Sequence, residues 1–324
     1  MKAVVYTKYG PPEVLQLEEV EKPTPKDNEV LVNVHAASVN AADWHLMRGE
    51  PLPARLAFGL LKPKLRILGA DIAGRVEAVG RNVREFRPGD EVFGDLSGCG
   101  FGGFAEYVSV PEDALVLKPV ATSFEQAAAV PLAAVTALQG LRDKGRIQPG
   151  QKVLINGAGG GVGTFAVQLA KAFGAEVTAV CSTRNLDMAR SLGADHVIDY
   201  TQEDFTRNGR GYDLILAANG YHPLAAYKRA LSPEGIYVMT GGSNAQLFQA
   251  MLLGPVMSMN GSKKMAGLLM KPNKEGLIFM KELLEAGKVV PVIDRRYPLR
   301  EVPEAIRYLE EGHARGKVII TVEQ

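Results

Sequence analysis

The chain has 324 residues, 46% of them hydrophobic and 23% charged, an ordinary composition for a globular protein of about two domains. Its 37 basic and 36 acidic residues leave a formal charge of +1, and no stripe of Lys and Arg interleaves with aromatics, so the footprint of a nucleic-acid binder is missing. No apolar run reaches the ~18 residues of a membrane span, and the opening MKAVVYTKYGPPE lacks the hydrophobic stretch of a secretory signal, so a cytoplasmic protein without membrane insertion is expected. Only Cys99 and Cys181 are present, far apart and without a CxxC partner. They build neither a disulfide framework nor a zinc site, and each is expected to be a buried thiol.

In chain order, residues 1–122 alternate at period two between Gly, Pro and Asp punctuation, in KAVVY, VLQLEEV, EVLVNVHAAS, AGRVEAVG, DEVFG, FAEYVSV and ALVLKP. This predicts an antiparallel β domain with one short helix at AADWHLM. From Ser123 the pattern turns helical and alanine-rich, FEQAAAVPLAAVTALQGL, and a boundary is expected there. Strand and helix patterns then alternate: KVLIN, a helix to Phe173, EVTAVC, NLDMARSLG ending on Gly193, HVIDY, DLILAAN, HPLAAYKRAL and GIYVMT. Such alternation predicts a doubly wound parallel sheet, here over 123–290. Residues 245–287 read as helical and methionine-rich, with Met251, Met257, Met259, Met265 and Met270 suited to core, interface or pocket wall. The tail 291–324 returns to β character through PVIDRRYPL and GKVIITV around a helix VPEAIRYLEEG, and is expected to complete the first domain.

The segment 152–171, KVLINGAGGGVGTFAVQLAK, carries the strongest signal. A buried strand pattern runs into Gly157, Gly159, Gly160, Gly161 and Gly163, then into a helix pattern at Val162, Phe165, Ala166, Leu169 and Ala170. A strand that turns into a helix without side chains in the way offers backbone N–H groups at the positive end of a helix dipole, which suits a pyrophosphate. The spacing Ala158-x-Gly160-x-x-Gly163 puts alanine in the first glycine position of the usual fingerprint. A tight β-to-α turn without a ligand is the plain alternative. In such folds an acidic residue about 20 positions beyond the glycines holds the ribose of NAD. Here that place reads Cys181-Ser182-Thr183-Arg184-Asn185, and the first carboxylate is Asp187, already inside the next helix pattern. The Ser182 hydroxyl and Arg184 guanidinium suit a 2′-phosphate, so NADPH is the expected cofactor, against the alternative of a helix cap and a solvated arginine. Tyr200 and Asn219-Gly220, at carboxyl ends of later strands, stand where ligands of open sheets bind.

A β domain, a central dinucleotide fold and a chain that returns to the first domain resemble the medium-chain dehydrogenase/reductase superfamily over nearly the whole chain. Leu68-Gly69-Ala70-Asp71-Ile72-Ala73-Gly74 and Pro88-Gly89-Asp90-Glu91-Val92 resemble its glycine-rich β core. Ala37-Ser38-Val39-Asn40, Asp43-Trp44, the GGVG loop, Cys181-Ser182-Thr183-Arg184 and Gly312-His313-Ala314-Arg315-Gly316-Lys317 are similar to the zinc-free quinone oxidoreductase and enone reductase branch. The resemblance implies a GroES-like β domain, 1–122 with 291–324, holding an inserted Rossmann domain, 123–290. It also implies Gly160, Gly161 and Val162 at the pyrophosphate, Ser182, Arg184 and Tyr200 at the 2′-phosphate end, and Asn219, Thr240 and Gly241 on the ribose and nicotinamide side. His313 and Arg315 resemble positions that reach the cofactor from the returning segment, with a helix C-terminal role for His313 equally open. Where the zinc alcohol dehydrogenases carry a cysteine ligand and a His-Glu pair, this chain has Asn40 and Ala70-Asp71, so no metal is expected.

Without a Lewis acid the expected chemistry is hydride delivery to an electrophilic carbon: NADPH reducing a small-molecule quinone or an α,β-unsaturated carbonyl. Asn40 is the expected hydrogen-bond donor to the substrate oxygen, with Trp44 beside the substrate and Asp43 a turn or cap residue. Tyr221, His222 and water stay open as proton sources. Two rival readings remain, a zinc-free alcohol dehydrogenase or aldehyde reductase and a catalytically silent NADPH-binding protein. The family resemblance also implies a homodimer paired across the sheet edge of the nucleotide domain.

Overall fold

Strands β1 (Lys2–Val5) and β2 (Gln16–Glu19) pair antiparallel. β3 (Glu29–Val39) is a run of branched residues and alanines that is buried on both faces over its second half. It ends at Asn40, whose N–H donates to the Asp43 carboxylate at 2.8 Å and so opens α1 (Ala41–Arg48); Gly49, at φ +63°, closes that helix. The short α2 (Ala54–Phe58) buries none of its residues. β4 (Asp71–Val79), β5 (Glu91–Asp95), β6 (Tyr107–Pro111) and β7 (Leu115–Leu117) follow, then α3 (Phe124–Ala128), capped reciprocally by Ser123 and Gln126, and α4 (Pro131–Leu138).

The alternating region holds β8 (Lys152–Asn156), α5 (Gly161–Ala172), β9 (Glu176–Cys181), α6 (Leu186–Ser191), β10 (His196–Asp199), β11 (Tyr212–Ala217), α7 (Leu224–Ala230), β12 (Leu231–Met239), α8 (Asn244–Met259) and β13 (Lys264–Gly267). The chain ends with α9 (Lys274–Glu285), β14 (Ile293–Pro298), α10 (Val302–Glu310) and β15 (Lys317–Thr321). This computed structural model describes residues 1–242, 244–259 and 261–323, and the Met259 side chain, expected above in the methionine-rich stretch, lies outside the described part.

Two compact units result, Met1–Leu132 with Pro272–Ala286 and Pro291–Gln324, and Ala133–Lys271 with Gly287–Val290. The division read from sequence at 122/123 and 290/291 differs from these units in two stretches: 123–132 and 272–286 fall in the first unit. That unit is built on a seven-stranded sheet of order β14-β15-β3-β4-β5-β7, with β6 also on β3. Its pairings are antiparallel except β14 with β15, which run parallel because α10 crosses between them. The antiparallel reading of residues 1–122 holds, and the returning tail adds one parallel pair.

The second unit is a parallel six-stranded sheet of order β10-β9-β8-β11-β12-β13, the doubly wound arrangement whose order reverses between β8 and β11. The methionine-rich stretch is not helical throughout. β13 pairs with β12 as the sixth strand and buries Met265, and four residues are too few to show a period in sequence. Among the described residues no helix is long and apolar enough to cross a membrane. Cys181 is buried, whereas Cys99 is exposed in the turn after β5, against the expectation of two buried thiols.

Candidate active site

In the second unit the carboxyl ends of the strands gather nine of the residues singled out above. β8 ends at Asn156, and Gly157 takes φ +83°, so the left-handed turn falls one residue before the alanine assigned to the first fingerprint position. Ala158 is fully buried under the loop. The first bond of α5 runs from Thr164 N–H to Gly160 O at 2.9 Å, so the amides of Gly161, Val162 and Gly163 stand ahead of it at the helix N-terminus. A Cβ on Gly163 would stand 2.1 Å from Gly157 O, which makes glycine obligatory where helix meets strand. On Gly160 the nearest atom to such a Cβ is 3.8 Å away, and Gly160, Gly161 and Val162 are all partly exposed. A closely packed turn with an open, amide-lined mouth fits a pyrophosphate.

Next to this loop, β9 and β10 end side by side, Cys181 opposite Asp199, and Tyr200 N–H donates to Cys181 O at 3.2 Å. Ser182 is partly exposed, and Arg184 and Tyr200 are exposed at the same edge. Sequence reading missed one residue here. Asp199 sits on the neighbouring strand, and its carboxylate accepts hydrogen bonds from the Thr183 hydroxyl, the Thr201 hydroxyl and the Thr201 N–H. Those bonds hold it below the usual carboxylate range. Across the order reversal, Asn156 O accepts the N–H groups of Ala218 and Asn219, which lays the exposed Asn219 against the glycine turn. Thr240 N–H bonds Ala217 O at 2.9 Å, placing Thr240 and Gly241 at the next strand end.

The first unit carries a buried polar cluster at the end of β3. Asp71 is fully buried opposite Ser38. Its Oδ1 accepts Leu132 N–H at 2.8 Å; its Oδ2 accepts the Ser38 hydroxyl at 2.7 Å, Asn40 Nδ2 at 2.9 Å and Lys317 Nζ at 3.3 Å. Lys317, 3% exposed, also donates to Asn40 Oδ1 at 2.5 Å. Asn40 thus has its oxygen on the ammonium, and its two amide hydrogens on Asp71 and on Ser38 O at 3.3 Å. One buried ammonium therefore stands among three buried carboxylates, Asp43, Asp71 and Asp95. Burial pushes the Asp43 carboxyl up to about 7 despite N–H donors from Asn40 and Gly69, and pushes Asp95 up to about 6 with help from Asp71. Asp43 has the cap role expected of it.

Trp44 follows on α1, partly buried and stacked on His45 at 3.6 Å between ring centres. His313 and Arg315 are exposed between α10 and β15, and Arg315 N–H donates to Asp294 at 2.8 Å. Among the described residues no group of three or more His, Cys, Asp or Glu is arranged to hold a metal ion.

A model described as the alcohol dehydrogenase GroES-like domain matches residues 26–120, and one described as zinc-binding dehydrogenase matches 192–320. The chain is 38% identical to a chloroplast envelope quinone oxidoreductase homolog of Arabidopsis thaliana, over 99% of this chain and 98% of that protein. It is 34% identical to an NADPH-dependent alkenal/one oxidoreductase, chloroplastic, of the same plant, over 99% of this chain and 79% of that one. Among solved structures, the quinone oxidoreductase from Coxiella burnetii superposes with a TM-score of 0.88 at 32% identity, covering 100% of this chain and 99% of that one.

Proposed function

The chain belongs to the zinc-free quinone oxidoreductase and enone reductase branch of the medium-chain dehydrogenase/reductase superfamily, and from that premise we propose that it transfers hydride from NADPH to a quinone or to the β-carbon of an α,β-unsaturated ketone or aldehyde. The observation that carries the reading is the carboxyl edge of the six-stranded sheet. There an open glycine turn at the start of α5 lies beside Ser182, Arg184 and Tyr200.

A bound reduced nicotinamide supplies the hydride. The chain's own work is geometry and charge. Gly160, Gly161 and Val162 hold the pyrophosphate on the N-terminus of α5, and Asn219, Thr240 and Gly241 flank the ribose and nicotinamide. By the family resemblance, His313 and Arg315 on the returning segment are further cofactor residues. At the adenosine end two groups compete. Arg184 and Ser182 attract a 2′-phosphate, whereas Asp199 repels it and favours the bare ribose of NADH. Asp199 accepts three hydrogen bonds from Thr183 and Thr201, and with Arg184 and Ser182 at the same edge NADPH is the favoured cofactor.

Asn40 donates to the substrate oxygen by giving up the longer of its two amide bonds, the one to Ser38 O. Lys317 on its Oδ1 polarises the amide and fixes its plane, which strengthens the remaining donor as charge develops on the substrate. Trp44 bounds the substrate, and water returns the proton to the reduced product. The protein works in the cytoplasm as a homodimer paired across the sheet edge of the nucleotide domain.

Steady-state oxidation of NADPH with a panel of enones and quinones tests the proposal. Turnover confined to saturated alcohols with NADP would shift it to an alcohol dehydrogenase, and NADPH affinity without any turnover to a silent binding protein.

A further inference from the structure

Between α1 and β4 the sequence PLPARLAFGLLKPKLRILGA carries eight leucine, isoleucine or phenylalanine residues and no acid between Glu50 and Asp71. Four of its leucines are turned out to solvent, Leu52 at 69%, Leu56 at 75%, Leu60 at 64% and Leu61 at 91% exposed, and Phe58 is partly so at 37%. This is not a loose loop. The Tyr9 hydroxyl donates to Gly59 O at 2.6 Å, and Arg55 donates to Gly49 O at 2.9 Å and to Arg48 O at 3.1 Å while lying over the Tyr9 ring. The backbone is anchored from beneath and its leucines are left on the outside. A contiguous exposed apolar set of this kind marks an interaction surface. Its rim is cationic: Lys62, Lys64 and Arg66 are all exposed within the next five residues.

We infer that residues 52–66 are a docking surface for an anionic lipid bilayer, the leucines entering the headgroup boundary and Lys62, Lys64 and Arg66 meeting lipid phosphates. Apolar side chains ringed by lysine and arginine, with no acid among them, are the pattern of an interfacial membrane segment. A second copy of the chain is the poorer occupant, because a two-fold contact would set one cationic rim against the other. The inference rests on the proposed function only in its purpose: lipophilic quinones and enones partition into bilayers, so docking brings the enzyme to them.

The test is co-sedimentation of the full chain with phosphatidylcholine vesicles containing about a third phosphatidylglycerol, at low and at high salt. The expected result is binding to the anionic vesicles, at least about tenfold weaker to pure phosphatidylcholine, lost by the same factor in L56S/L61S and in K62E/K64E/R66E, and reversed by salt. Absence of binding by the unmodified chain, or equal binding by both variants, overturns the inference. So does a dimer that L56S/L61S dissolves while vesicle binding is missing, which would assign the patch to a second copy. Binding only to an acidic protein column also overturns it. NADPH oxidation with a water-soluble quinone, measured without vesicles, stays unchanged in both variants; its absence in the unmodified chain would instead count against the proposed function.

Discussion

Lys317 and Asp71 are the two ends of a buried ion pair whose other contacts are all hydrogen bonds within the chain. Removing one partner of such a pair strands a charge, at a cost of about 3–5 kcal/mol. Lys317→Met should therefore lower the unfolding free energy by about that amount in urea titration, and adding Asp71→Asn should recover much of it, the double variant costing less than the sum of the singles. A cost below about 1 kcal/mol for K317M would mean that the ammonium does not stabilise the cluster.

The neighbouring Asp43 titrates in an accessible range. Its folded value, about 7, lies above its ordinary value of 3.8 because burial penalises the carboxylate. The folded state thus binds this proton more tightly than the unfolded chain does, and the resulting stability is full below about pH 4 and lost as pH rises through about 7. Asp95, raised to about 6, acts in the same direction. Urea midpoints measured from pH 4 to 8 should fall across this window, and Asp43→Asn should be less stable overall but flatter with pH. An unchanged slope in D43N would show that the titrating group lies elsewhere.

The glycine turn and α5 make a prediction at the scale of an element, because two of its glycines serve different ends. Gly163 has no room for a methyl group against Gly157 O, so Gly163→Ala must move the helix off β8, lowering stability and cofactor affinity together. Gly160 has ordinary extended backbone and open space above it. Gly160→Ala should leave the thermal midpoint nearly unchanged and weaken NADPH binding, read by fluorescence titration, by about tenfold or more. Loss of stability in G160A equal to that in G163A would remove the distinction.

This turn was legible in the chain because strand, glycines and helix lie within twenty consecutive residues and each leaves a local pattern. What was missed is non-local. Asp199 meets Thr183 only because β10 lies beside β9, and Lys317 meets Asp71 across 246 positions through the pairing of β15 and β3 with β4. No spacing along the chain signals either contact. Asn40 is singled out in sequence by the family resemblance, standing where the zinc enzymes carry a cysteine; it is buried at the end of β3, and its partners follow from sheet order alone. β13 was hidden inside an apolar stretch because it is too short to show a period of two.

For the molecule as a whole, β10 and β13 are the outermost strands of the nucleotide sheet, and on β13 the Met265 N–H donates to Ser258 Oγ at 2.9 Å. A homodimer predicts twice the chain mass in sedimentation equilibrium. A monomer in the unmodified protein would contradict the dimer. The central claim is hydride transfer from NADPH to an activated carbon or quinone. Its most direct test is the rate of NADPH and NADH oxidation with one enone and one quinone, for the unmodified chain and for Arg184→Ala. The account predicts turnover with NADPH, a fall of at least about tenfold in kcat/KM for NADPH in R184A, and little change for NADH. Absence of turnover with either cofactor and either acceptor would contradict it.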